Sequence, residues 1–219
     1  MKVALFLLPF LAVVVFLLIR AEFRKDRRWI YVLKPIATLT VIAAALCSFG
    51  EPSYIPVYTG GVLAGLLLSF GGDAALMFPD NRKAFMLGLF VLAHITYAAV
   101  FWILGRFSGW DLVSAGLLSA VGALFYTLIR PNLGKMKVPV IVYMAVVSLM
   151  VNRSVTVLFA ERFGGGGGGL VVTGAVLFYV SDILLAAGRF WKPWRYHRIS
   201  LAFYYGGQYL IALAASYSA

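Results

Sequence analysis

The chain has 219 residues, 63% hydrophobic and 12% charged, with a formal net charge of +11 from 19 Lys and Arg against 8 Asp and Glu. A soluble domain is about 45–50% apolar and about 25% charged, and the mean hydropathy here is +0.93. These values exclude a water-soluble globule, a disordered chain and a basic nucleic-acid-binding protein.

At about 20 residues per span, the length accommodates about eight transmembrane helices. Residues 1–219 therefore read as a single integral membrane domain with no separate soluble unit. Long uninterrupted runs such as VVVFLLI and TLTVIAAAL do not alternate, so helices rather than β-barrel strands are expected. The fold class is all-α and multi-pass. In chain order the expected spans are 3–19, 32–49, 56–78, 84–104, 111–129, 138–158, 169–187 and 199–217. The first run has no small-residue cleavage site before Arg20 and reads as a retained helix. Turn residues punctuate the spans at Gly50–Pro52, Pro79–Asn81, Pro131–Gly134 and Lys192–Pro193. Six glycines, Gly164–Gly169, read as a flexible connector before span seven.

The cations are distributed unevenly between the two sides. Fifteen Lys and Arg fall in segments 20–34, 79–83, 130–137 and 188–198, and three fall on the opposite side: Lys2, Arg106 and Arg162. By the positive-inside rule, the first group is cytoplasmic and both termini are non-cytoplasmic. Topology thus accounts for the positive charge without a nucleic-acid partner. The basic, aromatic segments Arg20–Arg28 and 191–198 suit an inner leaflet of anionic lipid. Arg153, near the outer end of span six, is expected to snorkel to the outer headgroups.

A sparse internal repeat is visible. Spans three and seven both read G-x7-D-x2-L, as Gly65, Asp73, Leu76 and as Gly174, Asp182, Leu185. Pro35 and Pro139 stand near the starts of spans two and six. This pattern points to two four-helix halves in parallel orientation.

Asp73 and Asp182 read as the acidic residues within spans, and an intramembrane carboxylate marks a functional site by default. Counted from the inner helix ends at 1.5 Å per residue, they lie at matched depths of roughly 8 and 9 Å. Two carboxyl groups at one depth suit acid–base work, since burial and repulsion divide their protonation states. Further polar residues gather in the same half: Lys34, Tyr126 and Tyr143, then His94 with Tyr97 at i,i+3, and Tyr204 and Tyr205 with Gln208 at i,i+4 and i,i+3. These are the candidate substrate-binding residues. Two histidines and one cysteine, Cys47, cannot build a Cys/His zinc site, and neither a metal nor an organic cofactor is expected.

Four segments resemble a known family. They are Y-x-x-K-P at Tyr31–Pro35, GDAALMFPDNRKAFMLGLFVLAHITY from Gly72 to Tyr97, GAVLFYVSDILLA from Gly174 to Ala186, and YYGGQYLIAL from Tyr204 to Leu213. Together they resemble the YhhN, or lysoplasmalogenase, family of eight-span membrane proteins. Some relatives carry W-R where Asn152–Arg153 stands here. The resemblance implies a hydrolase that opens the vinyl ether of a single-chain glycerophospholipid, releasing a fatty aldehyde and glycerophosphoethanolamine or glycerophosphocholine. Its partners are then the lysophospholipid substrate and the surrounding membrane lipid. Asp73 and Asp182 supply an acid and a carboxylate. Lys34, with Arg82 or Lys83, is expected to hold the phosphate, and the tyrosines and His94 to position water or the glycerol hydroxyl. Two other readings are weighed beside it. One is a transporter or lipid-binding receptor with proton-coupled aspartates. The other is a ceramidase-like metal hydrolase, which the shortage of intramembrane histidine disfavours.

Overall fold

The computed structural model describes residues 3–52, 54–77, 83–164, 166–192 and 197–217, with side chains at all of these except 76, 77, 83 and 84. The described chain is all-helical. A 3-10 turn, Val3–Phe6, leads into α1 (Leu7–Arg24), followed by α2 (Arg27–Leu46), α3 (Pro56–Met77) and α4 (Lys83–Leu104). The second group is α5 (Gly109–Ile129), α6 (Lys137–Val157), α7 (Gly167–Phe190) and α8 (Ser200–Ala214). Seven of these are long and apolar enough to cross a membrane.

The eighth differs in kind. Helix α8 has only 15 residues, about 22 Å at 1.5 Å per residue, against about 30 Å of hydrocarbon. It is enclosed rather than exposed, and packs against α7, α2, α1 and α3. Tyr204, Tyr205, Tyr209, Ile211 and Leu213 are all buried. A helix sheathed by other helices need not match the bilayer thickness. Two long-range hydrogen bonds fix its C-terminal part. Tyr58 donates from α3 to the Ile211 carbonyl at 2.8 Å, and Tyr209 donates to the Ala4 carbonyl at 2.7 Å. By contrast α5 lies at the periphery, with Leu112 70% and Leu117 65% exposed. Such a surface suits contact with lipid.

Several boundaries lie beyond the expected spans because basic residues extend helices into the interface. Helix α1 continues to Arg24 and stops where Lys25 turns left-handed (φ 55°), its N–H closing on the Ala21 and Glu22 carbonyls. Asp26 then caps α2 by accepting from the Trp29 N–H. Helix α2 therefore starts at Arg27, five residues before the expected 32, and Pro35 falls inside it rather than at its start. Pro139 does occupy the first turn of α6. Helix α7 continues to Phe190, three residues beyond the expected 187. On the basic side, Arg198 pairs with Glu22 at 3.3 Å.

The glycine run corrects an expectation. Gly166 takes a left-handed φ of 96°, and Gly167–Gly169 already form the first turn of α7. A Cβ at Gly167 would meet the Tyr217 carbonyl oxygen at 2.6 Å, and one at Gly168 the Val157 carbonyl oxygen at 2.9 Å. These glycines permit close backbone packing rather than a loose connection.

Candidate functional site

Close helix approach sets up the first carboxylate. Helices α3 and α4 meet where Gly65 and Gly72 lack side chains. A Cβ there would lie 2.4 Å from the Tyr97 ring and 2.8 Å from the Phe90 ring. Asp73, one residue after Gly72, is thereby held in the interior and is 4% exposed. Its Oδ1 lies 3.3 Å from Lys34 Nζ of α2, itself buried. Its Oδ2 accepts from the Tyr204 hydroxyl of α8 at 2.9 Å. Tyr205 donates to the Lys34 carbonyl at 3.4 Å and so ties α8 to α2 beside the pair. A buried ammonium and a buried carboxylate at this distance satisfy one another; either alone would be costly.

The second carboxylate has a different set of partners. Asp182 Oδ2 accepts from the Tyr143 hydroxyl of α6 at 3.0 Å and faces His94 Nε2 of α4 at 3.6 Å. The His94 ring is fully buried, and its Nδ1 lies 2.5 Å from the Phe90 carbonyl oxygen. A carbonyl can only accept, so Nδ1 carries a proton and Nε2 is the nitrogen turned to Asp182. Phe178 links the two sites. It stands edge-on to His94 at 4.7 Å and to Tyr204 at 5.1 Å between ring centres.

A membrane-buried chain with this constellation can be compared with known proteins. The model of the YhhN family matches residues 29–215. The chain belongs to the YhhN family. Lysoplasmalogenase TMEM86A of Bos taurus is 34% identical over 160 residues, which cover 70% of this chain and 64% of the relative. The Homo sapiens protein of the same name is 32% identical over 159 residues, with the same coverage. The chain thus spans about two-thirds of the length of these relatives. Membrane protein YhhN of Escherichia coli is 27% identical over 191 residues, covering 84% of this chain and 85% of the relative. No solved structure matches the chain significantly.

The four segments that resemble the YhhN family converge in space. The first supplies Lys34, the second Asp73 and His94, the third Asp182 and the fourth Tyr204. Tyr143, outside all four, joins them through Asp182. Lys34, expected at the substrate phosphate, has its ammonium beside Asp73 in this structure. Arg82 and the side chain of Lys83 lie outside the described residues. Tyr126 stands apart. It lines a groove of about 570 Å3 between α5 and α6, with Met144 and Ser148. One turn from Asp73 and Tyr204, away from the basic segments, are Ser69 on α3 and Gln208 on α8, both fully buried. The Tyr97 hydroxyl is directed at Ser69. Neither end of the Gln208 amide has a hydrogen-bond partner among the described residues.

Two expectations fail at the end of the bundle away from the basic segments. Asp111 is a third acidic residue within a span, 1% exposed at the start of α5. Arg153 turns inward to it rather than out to headgroups, with its Nη2 3.7 Å from Asp111 Oδ1 and the guanidinium 4.7 Å above the Trp102 ring. Asn152 completes the cluster by donating to the Asp111 carbonyl at 2.8 Å and to Ser114 Oγ at 2.7 Å. The signal was present as Ser108-x-x-Asp111, a capping box. A cap that also needs a counter-ion draws the arginine inward.

Proposed function

We propose that this YhhN-family chain is a lysoplasmalogenase that hydrolyses the vinyl ether of a single-chain glycerophospholipid by carboxylic acid and carboxylate catalysis. The observation that carries the reading is the pair of buried carboxylates with unlike partners, Lys34 and Tyr204 on Asp73 and Tyr143 and His94 on Asp182. The names of the mammalian relatives support it.

The chemistry asks for such a pair. A vinyl ether opens when its β-carbon is protonated, leaving an oxocarbenium ion at the carbon bonded to oxygen. Water adds to that carbon and loses a proton, and the hemiacetal collapses to an aldehyde and a glycerol hydroxyl. One carboxyl group must donate a proton, and one must be anionic to stabilise the cation and accept the water proton. Gln208 is suited to the glycerol hydroxyl or the attacking water, since neither end of its buried amide has a partner among the described residues. The cation asymmetry supports an orientation with the termini on the non-cytoplasmic side and the two aspartates in the cytoplasmic half.

The test is aldehyde release from lysoplasmalogen by the purified full chain in detergent or nanodiscs, with the acyl and saturated alkyl-ether analogues as controls. Release from the vinyl ether alone is expected. Binding of all three lipids without turnover would overturn the reading and favour a receptor or transporter.

A further inference from the structure

The two carboxylate sites are copies of one another. Gly65 and Gly174 are 109 positions apart, as are Asp73 and Asp182, and also Lys34 and Tyr143; His94 and Tyr204 are 110 apart. This register maps α2 on α6, α3 on α7 and α4 on α8. The contacts obey it. Asp73 takes Lys34 from the second helix of its own half and Tyr204 from the last helix of the other half. Asp182 takes Tyr143 from the second helix of its own half and His94 from the last helix of the other half. The packing obeys it too. Gly65 brings α3 onto α4, and Gly174 brings α7 onto α8, where a Cβ would meet the Gly207 carbonyl oxygen at 2.7 Å. Exchanging α1–α4 with α5–α8 therefore superimposes one site on the other in kind.

The exchange fails at two side chains, and there the sites acquire different charges. Lys34 corresponds to Tyr143, and Tyr204 to His94. Asp73 therefore faces an ammonium, while Asp182 faces a phenol and an imidazole. Among the described residues, no Lys or Arg forms an ion pair with Asp182. The other titratable groups on elements packed against α7 are turned elsewhere: Tyr204 to Asp73, Tyr205 to the Lys34 carbonyl, Tyr209 to the Ala4 carbonyl, Arg153 and Asp111 to one another, Arg198 to Glu22 and Tyr126 to the α5–α6 groove, while Lys137 is exposed and His197 lies beside Gly188. On α7 itself, Tyr179 accepts from Ser148 at 3.5 Å. With Nδ1 of His94 donating to Phe90, Nε2 is left to accept. Two neutral groups cost less inside a bilayer than a second ion pair. Asp182 also has the more open carboxyl group, with its side chain 13% exposed against 5% for Asp73.

We infer that the duplication has divided the roles: Asp73 is a standing anion, and Asp182, which faces His94 Nε2 across 3.6 Å, is the neutral carboxylic acid. Resting on the reaction proposed above, this assigns its steps. The Asp182 proton passes to the β-carbon, where the alkene electron pair forms the new C–H bond. The ether oxygen lone pair makes the oxocarbenium, facing Asp73. Asp73 takes one proton from the attacking water and returns it to the departing glycerol oxygen as the C–O bond breaks. The hemiacetal hydroxyl proton restores Asp182.

Infrared spectroscopy of the full chain without substrate tests the assignment. The wild type should show the carbonyl stretch of a protonated carboxyl group. Asp182→Asn should lose it and Asp73→Asn should keep it. If Asp182→Asn does not fold, Asp182→Glu should shift the band and Asp73→Glu should leave it in place. A wild type without the band, or a band that follows Asp73, overturns the assignment. The measurement needs no turnover, so it fails independently of the proposed activity.

Discussion

Lys34→Met removes the ammonium while keeping length and apolar bulk, and it isolates a carboxylate that is 5% exposed. After the change Asp73 retains one donor, the Tyr204 hydroxyl at 2.9 Å. At the 3.3 Å separation of the pair, with an effective dielectric near 20, the lost attraction is about 5 kcal/mol. Breaking one side of a buried pair costs about 3–5 kcal/mol in practice. For a chain of this size each kcal/mol moves the unfolding temperature by about 2–4 °C, so a fall of about 6–20 °C is expected. Lys34→Met/Asp73→Asn removes the stranded charge and should recover most of that loss. The assay is thermal unfolding of wild type, both single variants and the double variant in one detergent. If the double variant is as unstable as the sum of the singles, Lys34 and Asp73 are not coupled and the ion-pair account is wrong.

Gly174→Ala should wedge α7 from α8, because the new Cβ would meet backbone at Gly207 that cannot step aside. Overpacking of this kind costs about 1–3 kcal/mol, whereas Gly116→Ala, with open space around it, should not destabilise the same thermal scan. Arg153→Met leaves Asp111 buried without its cation and should lower the unfolding temperature. Aldehyde release per folded molecule should be unchanged, because Arg153 touches neither aspartate of the site. A reporter fused after residue 219 should be active only on the non-cytoplasmic side; activity in the cytoplasm would reverse the proposed orientation.

The helices were legible because a span is a local property, a run of about 20 apolar residues. Most helix limits moved by only a few residues; the end of α1 and the start of α2 moved most, where Arg20, Arg24, Arg27 and Arg28 continue a helix that hydropathy ends early. Helix α8 was less legible, since its shortness follows from enclosure by other helices rather than from its own composition. The site was legible as a set and not as a wiring diagram. A carboxylate in an apolar run announces itself, and i,i+3 spacing joins His94 to Tyr97 on one helix. The contacts that matter join distant segments, as in Tyr204 to Asp73 across 131 positions. Nothing local indicated that Lys34 pairs with Asp73. Asp111 was missed because its position at a helix start resembles a loop charge, and Arg153 was misjudged for want of that partner.

The central claim is that both carboxylates carry the chemistry, and the most direct measurement is aldehyde release by Asp73→Asn and Asp182→Asn, each verified as folded by its helical circular dichroism. Asn preserves size and hydrogen bonding but supplies neither a carboxylic proton nor a charge facing an oxocarbenium ion. Each variant should lose about 10²–10⁴-fold in turnover, the usual scale of a general acid–base contribution. Near-normal turnover in either folded variant would contradict the two-carboxylate account.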